Sequence, residues 1–504
     1  MLAPDYLDHA PDRLVLLWQQ VEDDILRDVA RRISKMETLT PTANWQLWRY
    51  QQTEAVRQDV IKKLARYTGK SESAIRQLMQ EAATRALEAE DRIYYHYDLE
   101  PTPFAENETL QALLNAGYQQ TAGTFSNLTA TTANTVSGQF EAALDRAHLK
   151  VSSGAFDYKS AIKSAVDSLA DTMKYVTYPT GHKDTLEVAA RRAVLTGVNQ
   201  TAGKLQEARM DEMHVGFVET SAHGGARPSH AEWQGRQFHR GGAVDYLGKH
   251  YPDFYEATAY GTGGGIYGWN CAHTHWSIFP ELGAPPAWTQ ESLDALNARD
   301  IEYDGKKYTQ YEINQMQRAR ERTVRKYKRR YLAEDAAGAD TTQSAVKLRA
   351  ARAELADFTA RTGGRVDSAR TMVSGFGRSQ SSKATWAAKK QERLDAVNND
   401  LTELRQSGKI RMTGAAVVPP ALPNTLNFEG HSLEQMAKRQ ISLAQANEIA
   451  EHAILAISQR NGTQHSYYSD KGFIVIKQDG SIGTVGWLDD GGKQIVEVMK
   501  KHGF

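Results

Sequence analysis

Apolar residues recur at helical spacing through most of the first two hundred positions. Leu14, Leu17, Trp18, Val21, Ile25, Val29 and Ile33 form one stripe. A second helix opens with Thr40 as N-cap and Pro41 at its first position, and carries Trp45, Trp48, Val56, Val60 and Leu64. Gly69 predicts its end, and Ser71 predicts the cap of a further helix through Ile75, Leu78 and Met79. Residues 120–155 are small and polar, as in Thr129-Ala130-Thr131-Thr132-Ala133-Asn134-Thr135, which predicts a surface-exposed helix pair with a thin core. A long helix follows from about Asp184 to Met213, carrying Val188, Leu195, Val198 and Leu205.

The pattern then changes. Residues 214–290 are rich in Gly, His, Trp and Tyr and lack periodicity, which predicts a loop-dominated module. Ile301 to Tyr308 read as a tight hairpin around Asp304-Gly305. A basic helix follows, with Arg318, Arg320, Arg322, Arg325, Lys326, Lys328, Arg329 and Arg330. Residues 335–425 predict another helix, a Ser/Gly/Lys stretch near 375–383, and a polar helix to Gly408. Val417 to Pro423 reads as a stiff linker. Beyond it come a helix over His431–Lys438, another from Leu443 to about Arg460, a β-hairpin around Asp479-Gly480 and a short helix over Lys493–Lys500.

The expected fold class is therefore mainly α, with long helices, a Gly/His/Trp-rich loop module and a small C-terminal α+β domain. The expected divisions are 1–180, 181–300, 301–420 and 421–504. A chain of 504 residues exceeds one hydrophobic core, in keeping with several domains. Formal charge is zero, so any nucleic-acid or membrane binding has to come from a local patch. The single cysteine, Cys271, rules out an intramolecular disulfide. No basic stretch followed by an apolar run opens the chain, and no window reaches the roughly 20 apolar residues of a membrane span. Synthesis in a reducing cytoplasm, with no membrane span, is the expectation.

Candidate chemistry sits in the loop module. Cys271, His273 and His275 lie close in sequence, Cys271 and His273 share a face if the segment is extended, and His223, His230 and His239 can fold back onto them. Thiolate plus imidazole is a zinc donor set, so His223, His230, Cys271 and His273 are candidate ligands of a structural zinc. The competing reading has these histidines bonding loop backbone and stacking on Trp233, Trp269 and Trp276. Nothing in the spacing specifies a Cys/His nucleophile. Gly263-Gly264-Gly265-Ile266-Tyr267-Gly268 matches a dinucleotide fingerprint only formally, without the flanking strand and helix. Its glycines are expected to supply left-handed turns instead. On the basic helix, Arg318, Arg322, Arg325, Lys326 and Arg329 either neutralise DNA phosphates or contact an acidic protein surface, or form a solvated face paired with Glu312, Glu321 and Glu334.

Two stretches, Thr220 to Gly235 and Tyr260 to His273, resemble the phage minor capsid proteins related to Mu-type head-morphogenesis proteins. Tyr308 to Glu312, Gln315 to Arg318, Ile33, Thr40 to Ala43 and Trp45 extend the resemblance over roughly 1–375. Ala272 departs from it, standing where a basic residue is expected between Cys and His. The resemblance implies a structural protein of the virion head near the portal, with portal and capsid proteins as partners, assisting head assembly or DNA delivery. The last domain resembles phage-borne nucleases of the barnase–EndoU–colicin–RelE fold, through His431, Lys438 to Ile441, Ile449, Ala453-Ile454, Tyr467-Tyr468 and Gly480 to Val485. That likeness implies metal-free cleavage of host RNA. In it His431 is base or acid, Lys438 and Arg439 are phosphate cations, Tyr467 or Tyr468 stacks a base and Thr484 holds the phosphate. The alternative is a non-catalytic docking domain.

Overall fold

The computed structural model describes residues 2–36, 42–153, 157–173, 175–178, 180–283 and 285–504. Thr40 and Pro41 lie outside the described residues, so the cap expected there is not tested. The chain divides into two compact units, Met1–Ser381 and Ser382–Phe504.

In the first unit, α1 (Pro4–His9), α2 (Asp12–Ser34), α3 (Thr42–His96), α4 (Glu108–Ser152) and α5 (Tyr158–Thr172) precede a minimal ribbon, β1–β2 (Val176–Thr177 and Lys183–Asp184), and α6 (Leu186–Glu212). The loop module follows: β3 (Phe217–Thr220), α7 (Pro228–Ala231), β4 (Gln237–His239), β5 (Val244–Tyr246), β6 (Lys249–Tyr251), α8 (Phe254–Ala257) and β7 (His275–Ser277). After α9 (Gln290–Leu296) and the hairpin β8–β9 (Ile301–Tyr303 and Lys306–Tyr308) come α10 (Gln310–Ala336), α11 (Thr342–Thr362) and α12 (Ser368–Thr371). Asp304 and Gly305 both have positive φ, 49° and 72°, as the two-residue turn requires.

The expected stop at Gly69 does not occur: α3 runs unbroken for 55 residues. Its buried stripe continues through Val56, Val60, Leu64, Ser71, Ile75 and Met79, so packing overrides one weak helix former. Ser71 caps nothing. Its hydroxyl donates to the Tyr67 carbonyl at 2.8 Å and accepts from Trp18 Nε1 at 3.0 Å, deep in the core.

The small-residue segment 120–155 also differs from expectation. Its residues 120–152 belong to α4, one helix that buries Phe125, Ala133, Val136, Phe140, Ala143, Leu144 and Ala147 in the main core, not an exposed pair. Its small residues bring backbones together. A Cβ on Gly117 would lie 2.1 Å from Thr201 Oγ1, and one on Gly197 would lie 2.2 Å from Thr121 Oγ1. Thr121 and Thr201 each return their hydroxyl to the carbonyl four residues back, Gly117 at 2.9 Å and Gly197 at 2.7 Å. Two Gly-x-x-x-Thr steps, one on α4 and one on α6, thus interlock in opposite directions.

The second unit holds most of α13 (Arg378–Gln406), then β10 (Ala415–Val417), α14 (His431–Arg439), α15 (Leu443–Glu451), β11 (Leu455–Gln459), β12 (Gln464–Tyr468), β13 (Gly472–Lys477), β14 (Ile482–Trp487) and α16 (Asp490–Lys501). The strands form an antiparallel meander in chain order. Alternation sends Leu455 and Ile457 to the α13/α16 side, and Ala456, Ile474 and Ile476 to the α14/α15 side. The unit starts well before residue 421 because α13 and β10 complete this sandwich; Val417, read as linker, ends strand β10. The helix expected to reach Arg460 stops at Glu451, and the run Leu455-Ala456-Ile457 is a buried central strand.

The interlock predicts opposite effects for two helical glycines. Gly197→Ala should destabilise by about 1–3 kcal/mol through overpacking. Gly123→Ala, where a Cβ meets nothing within 4 Å, should stabilise by roughly 0.5–1 kcal/mol. Denaturant midpoints of the two variants check this; stabilisation by both would contradict the close approach.

Candidate functional site

Helix α6 supplies the floor of the loop module. Asn199, Gly203 and Gln206 fall at i, i+4 and i+7, on one face. Asn199 Nδ2 donates to the carbonyls of Cys271 (3.0 Å) and His273 (3.2 Å), and Gln206 Nε2 to that of His275 (2.8 Å). Gly203 leaves room for the Tyr267 ring, which would lie 2.8 Å from a Cβ. The segment entering β7 is thereby held extended, so Cys271 and His273 point the same way. His230 comes from the short helix α7, opened by Pro228.

Three of the four expected donors meet. His230 Nδ1 lies 3.3 Å from His273 Nδ1, and Cys271 Sγ lies 3.9 Å from the first and 3.7 Å from the second. All three residues are buried, and together they could hold a metal ion. His223 stands beside them, its ring 4.4 Å from that of His273, outside the donor triangle.

The protons on these rings follow from their partners. His230 Nε2 lies 2.8 Å from the Gly264 carbonyl oxygen, an obligate acceptor, so that nitrogen carries the hydrogen. Gln234 Oε1 accepts the backbone N–H of His223 at 3.1 Å, which fixes the amide; His273 Nε2, 3.2 Å from the same oxygen, must also donate. Both Nδ1 atoms are thus bare lone pairs facing one another. His223 Nδ1 contacts the Gly224 carbonyl at 3.2 Å, which leaves its buried Nε2 bare and unpartnered. Burial pushes His230 down to about 4 and His273 well below the ordinary histidine value, and raises the Cys271 thiol to about 11. The residues expected to stack do so in part: Trp233 packs on His230 and His273, whereas Trp269 is exposed.

His239 and His275 are placed elsewhere. His239 bonds the Gly242 carbonyl at 2.8 Å. His275 Nδ1 lies 2.5 Å from the Tyr267 hydroxyl, and its Nε2 lies 2.9 Å from Glu207. The glycine run needs room and not left-handed freedom: a Cβ on Gly265 would sit 2.0 Å from the Ala259 carbonyl oxygen, while positive φ falls on Tyr267 and Asn270. Gln234 and Asn199 were missed by sequence reasoning. The signal for Gln234 was its place one helical turn after His230.

The basic helix α10 turns most of its charge inward. Arg329 reaches Glu22 (2.8 Å), Asp23 (2.8 Å) and Glu187 (3.8 Å); Arg325 also pairs with Glu187. Arg330 meets Asp167 at 2.6 Å and Glu334 at 3.2 Å. The acids are therefore largely on α2, α5 and α6, whereas Glu312 is used in the capping box with Thr309. Arg325 and Arg329 are largely buried in these ion pairs; Arg318 is half-buried, and Arg322 and Lys326 are exposed. Lys326 lies 3.2 Å from Asp171.

In the second unit, Arg439 donates to Thr484 Oγ1 at 3.2 Å and to the Val485 carbonyl. These are the only two of the five nuclease candidates shown in contact among the described residues. Tyr467 is buried against α14 and α15, with its hydroxyl on the Pro420 carbonyl at 3.2 Å. His431 and Lys438 are exposed on α14.

A family model described as phage minor capsid protein 2 matches residues 2–360. No curated protein and no solved structure matches the chain.

Two outcomes follow from the Arg329 cluster. Arg329→Met should destabilise the first unit by about 3–5 kcal/mol, because it strands buried carboxylates; unchanged unfolding would contradict the cluster. Burial raises Glu22 from 4.5 to about 7 despite Arg329. The native state then holds a proton in this interval that the unfolded chain has lost. The contribution of Glu22 to stability is thus present at low pH and lost as pH rises through its folded value. Glu22→Gln should flatten the stability profile between pH 4.5 and about 7; an unaltered slope would place the titration elsewhere.

Proposed function

The chain belongs to the phage minor capsid protein 2 family, and on that premise we propose that it works at the head near the portal, in head assembly or DNA delivery. Its role is structural. The observation that carries this reading is the coincidence of the family match, residues 2–360, with one helical frame and its loop module. The partners in this reading are portal and capsid proteins, met by exposed side chains such as Arg322, with packaged DNA as a second contact. None of the described helices is long and apolar enough to cross a membrane.

The C-terminal unit acts as a docking module in this reading. The dispersal of the nuclease candidates supports it: Tyr467 is committed to the core, and Arg439 to Thr484 and a carbonyl. An RNase needs base, acid and cation around one phosphate. The full chain should leave several RNAs intact, as should His431→Ala. Cleavage by the wild type that His431→Ala loses would replace the docking role with a nuclease. Purified virions should contain the chain in few copies and retain it in portal-bearing heads. Its absence from virions would overturn the head placement.

A further inference from the structure

The loop module contains two imidazole lone pairs that the chain cannot satisfy together. The Nε2 hydrogens of His230 and His273 are each pinned by an oxygen acceptor, so neither ring can turn its hydrogen inward without losing a buried bond. The two bare Nδ1 atoms nevertheless face each other at 3.3 Å, with the Cys271 sulfur completing a triangle. The single thiol hydrogen can serve only one of them.

A metal ion resolves the whole arrangement. Tetrahedral zinc with Zn–N near 2.0–2.1 Å and Zn–S near 2.3 Å sets its donors about 3.3 Å apart for N···N and about 3.6 Å for N···S. The measured edges are 3.3, 3.7 and 3.9 Å. The surroundings also match: each imidazole donates its outer N–H to an oxygen, the usual support of a ligating histidine. The His273 backbone N–H points at the sulfur, 3.3 Å away, as suits a thiolate. Binding displaces the Cys271 proton to solvent and forms one Zn–S and two Zn–N bonds.

We propose that His230 Nδ1, Cys271 Sγ and His273 Nδ1 bind one zinc ion, with the fourth position taken by water. All three ligands line a cavity of about 510 Å³. His223 lines it too, and its bare Nε2 accepts a hydrogen bond from the metal-bound water. Arg227 and Arg322 line the same cavity and favour an anion such as inorganic phosphate as the exchangeable fourth ligand.

The test uses the full chain, purified without chelator. Zinc should be present at about one ion per chain. Cobalt exchanged into the site should give intense tetrahedral visible bands and a near-ultraviolet thiolate-to-cobalt band, lost in Cys271→Ser. Gln234→Ala should weaken zinc about 10–100-fold in chelator competition, while His239→Ala leaves it unchanged. A folded wild-type chain with neither zinc nor cobalt uptake overturns the site, as does bound cobalt without the thiolate band. His223→Ala should keep stoichiometry and thiolate band but shift the pH titration of the visible bands. Loss of metal in that variant would make His223 the fourth ligand and overturn the open position. So would visible bands that do not move on adding inorganic phosphate.

Discussion

The first unit depends on one guanidinium. Glu22 and Asp23 are adjacent on α2 and both buried, an arrangement that is strongly unfavourable without a cation between the helices. Arg329 supplies it from α10 and reaches Glu187 at the start of α6 as well. The surrounding groups are committed to the same cluster. The Glu187 amide donates to Glu22 at 3.3 Å, Tyr175 donates to the Glu22 carbonyl at 3.1 Å, and the Ser374 amide reaches Asp23 at 2.7 Å. Residues far apart in sequence thus meet at one charge cluster, and the apolar stripes of α2 and α6 pack around it.

The same logic places the loop module. A segment with so little apolar periodicity cannot hold itself by packing alone, and α6 holds it by polar means. Asn199 and Gln206 are fully buried, yet their amides are used on the backbone of residues 271–275. Glu90 on α3 completes the support, accepting from the Ser277 amide at 3.0 Å and from Gln206 at 3.3 Å. The module is therefore carried by the helices that the family match includes.

Much of this was legible in the sequence, for a definite reason. The α2 stripe, the α6 span and the Asp304-Gly305 hairpin are local patterns, and local patterns survive into the fold. The grouping of His230, Cys271 and His273 was legible too, since donor chemistry limits which residues matter. Gly69, Ser71 and the segment 120–155 misled because each is a weak local signal overruled by packing from elsewhere. The basic helix misled in part: Arg330 does pair with Glu334 within α10, but most of the partners lie on α2, α5 and α6, and no spacing within α10 reveals those. The strand at Leu455–Gln459 was hidden by the helical run before it, and its neighbours settle its identity.

Helix α6 is held at two places along its length. Gly197 and Thr201 lock against α4, and Glu187, ten residues earlier and about 15 Å along the axis, sits under Arg329. A smooth alanine-rich contact would let a helix slide by a turn, about 5.4 Å, at modest cost. A notch cut for one threonine side chain, together with a charge matched to one guanidinium, forbids both sliding and rotation. The helix therefore behaves as a ruler with fixed zero: the height at which Asn199 and Gln206 present their amides is set by contacts outside the loop module.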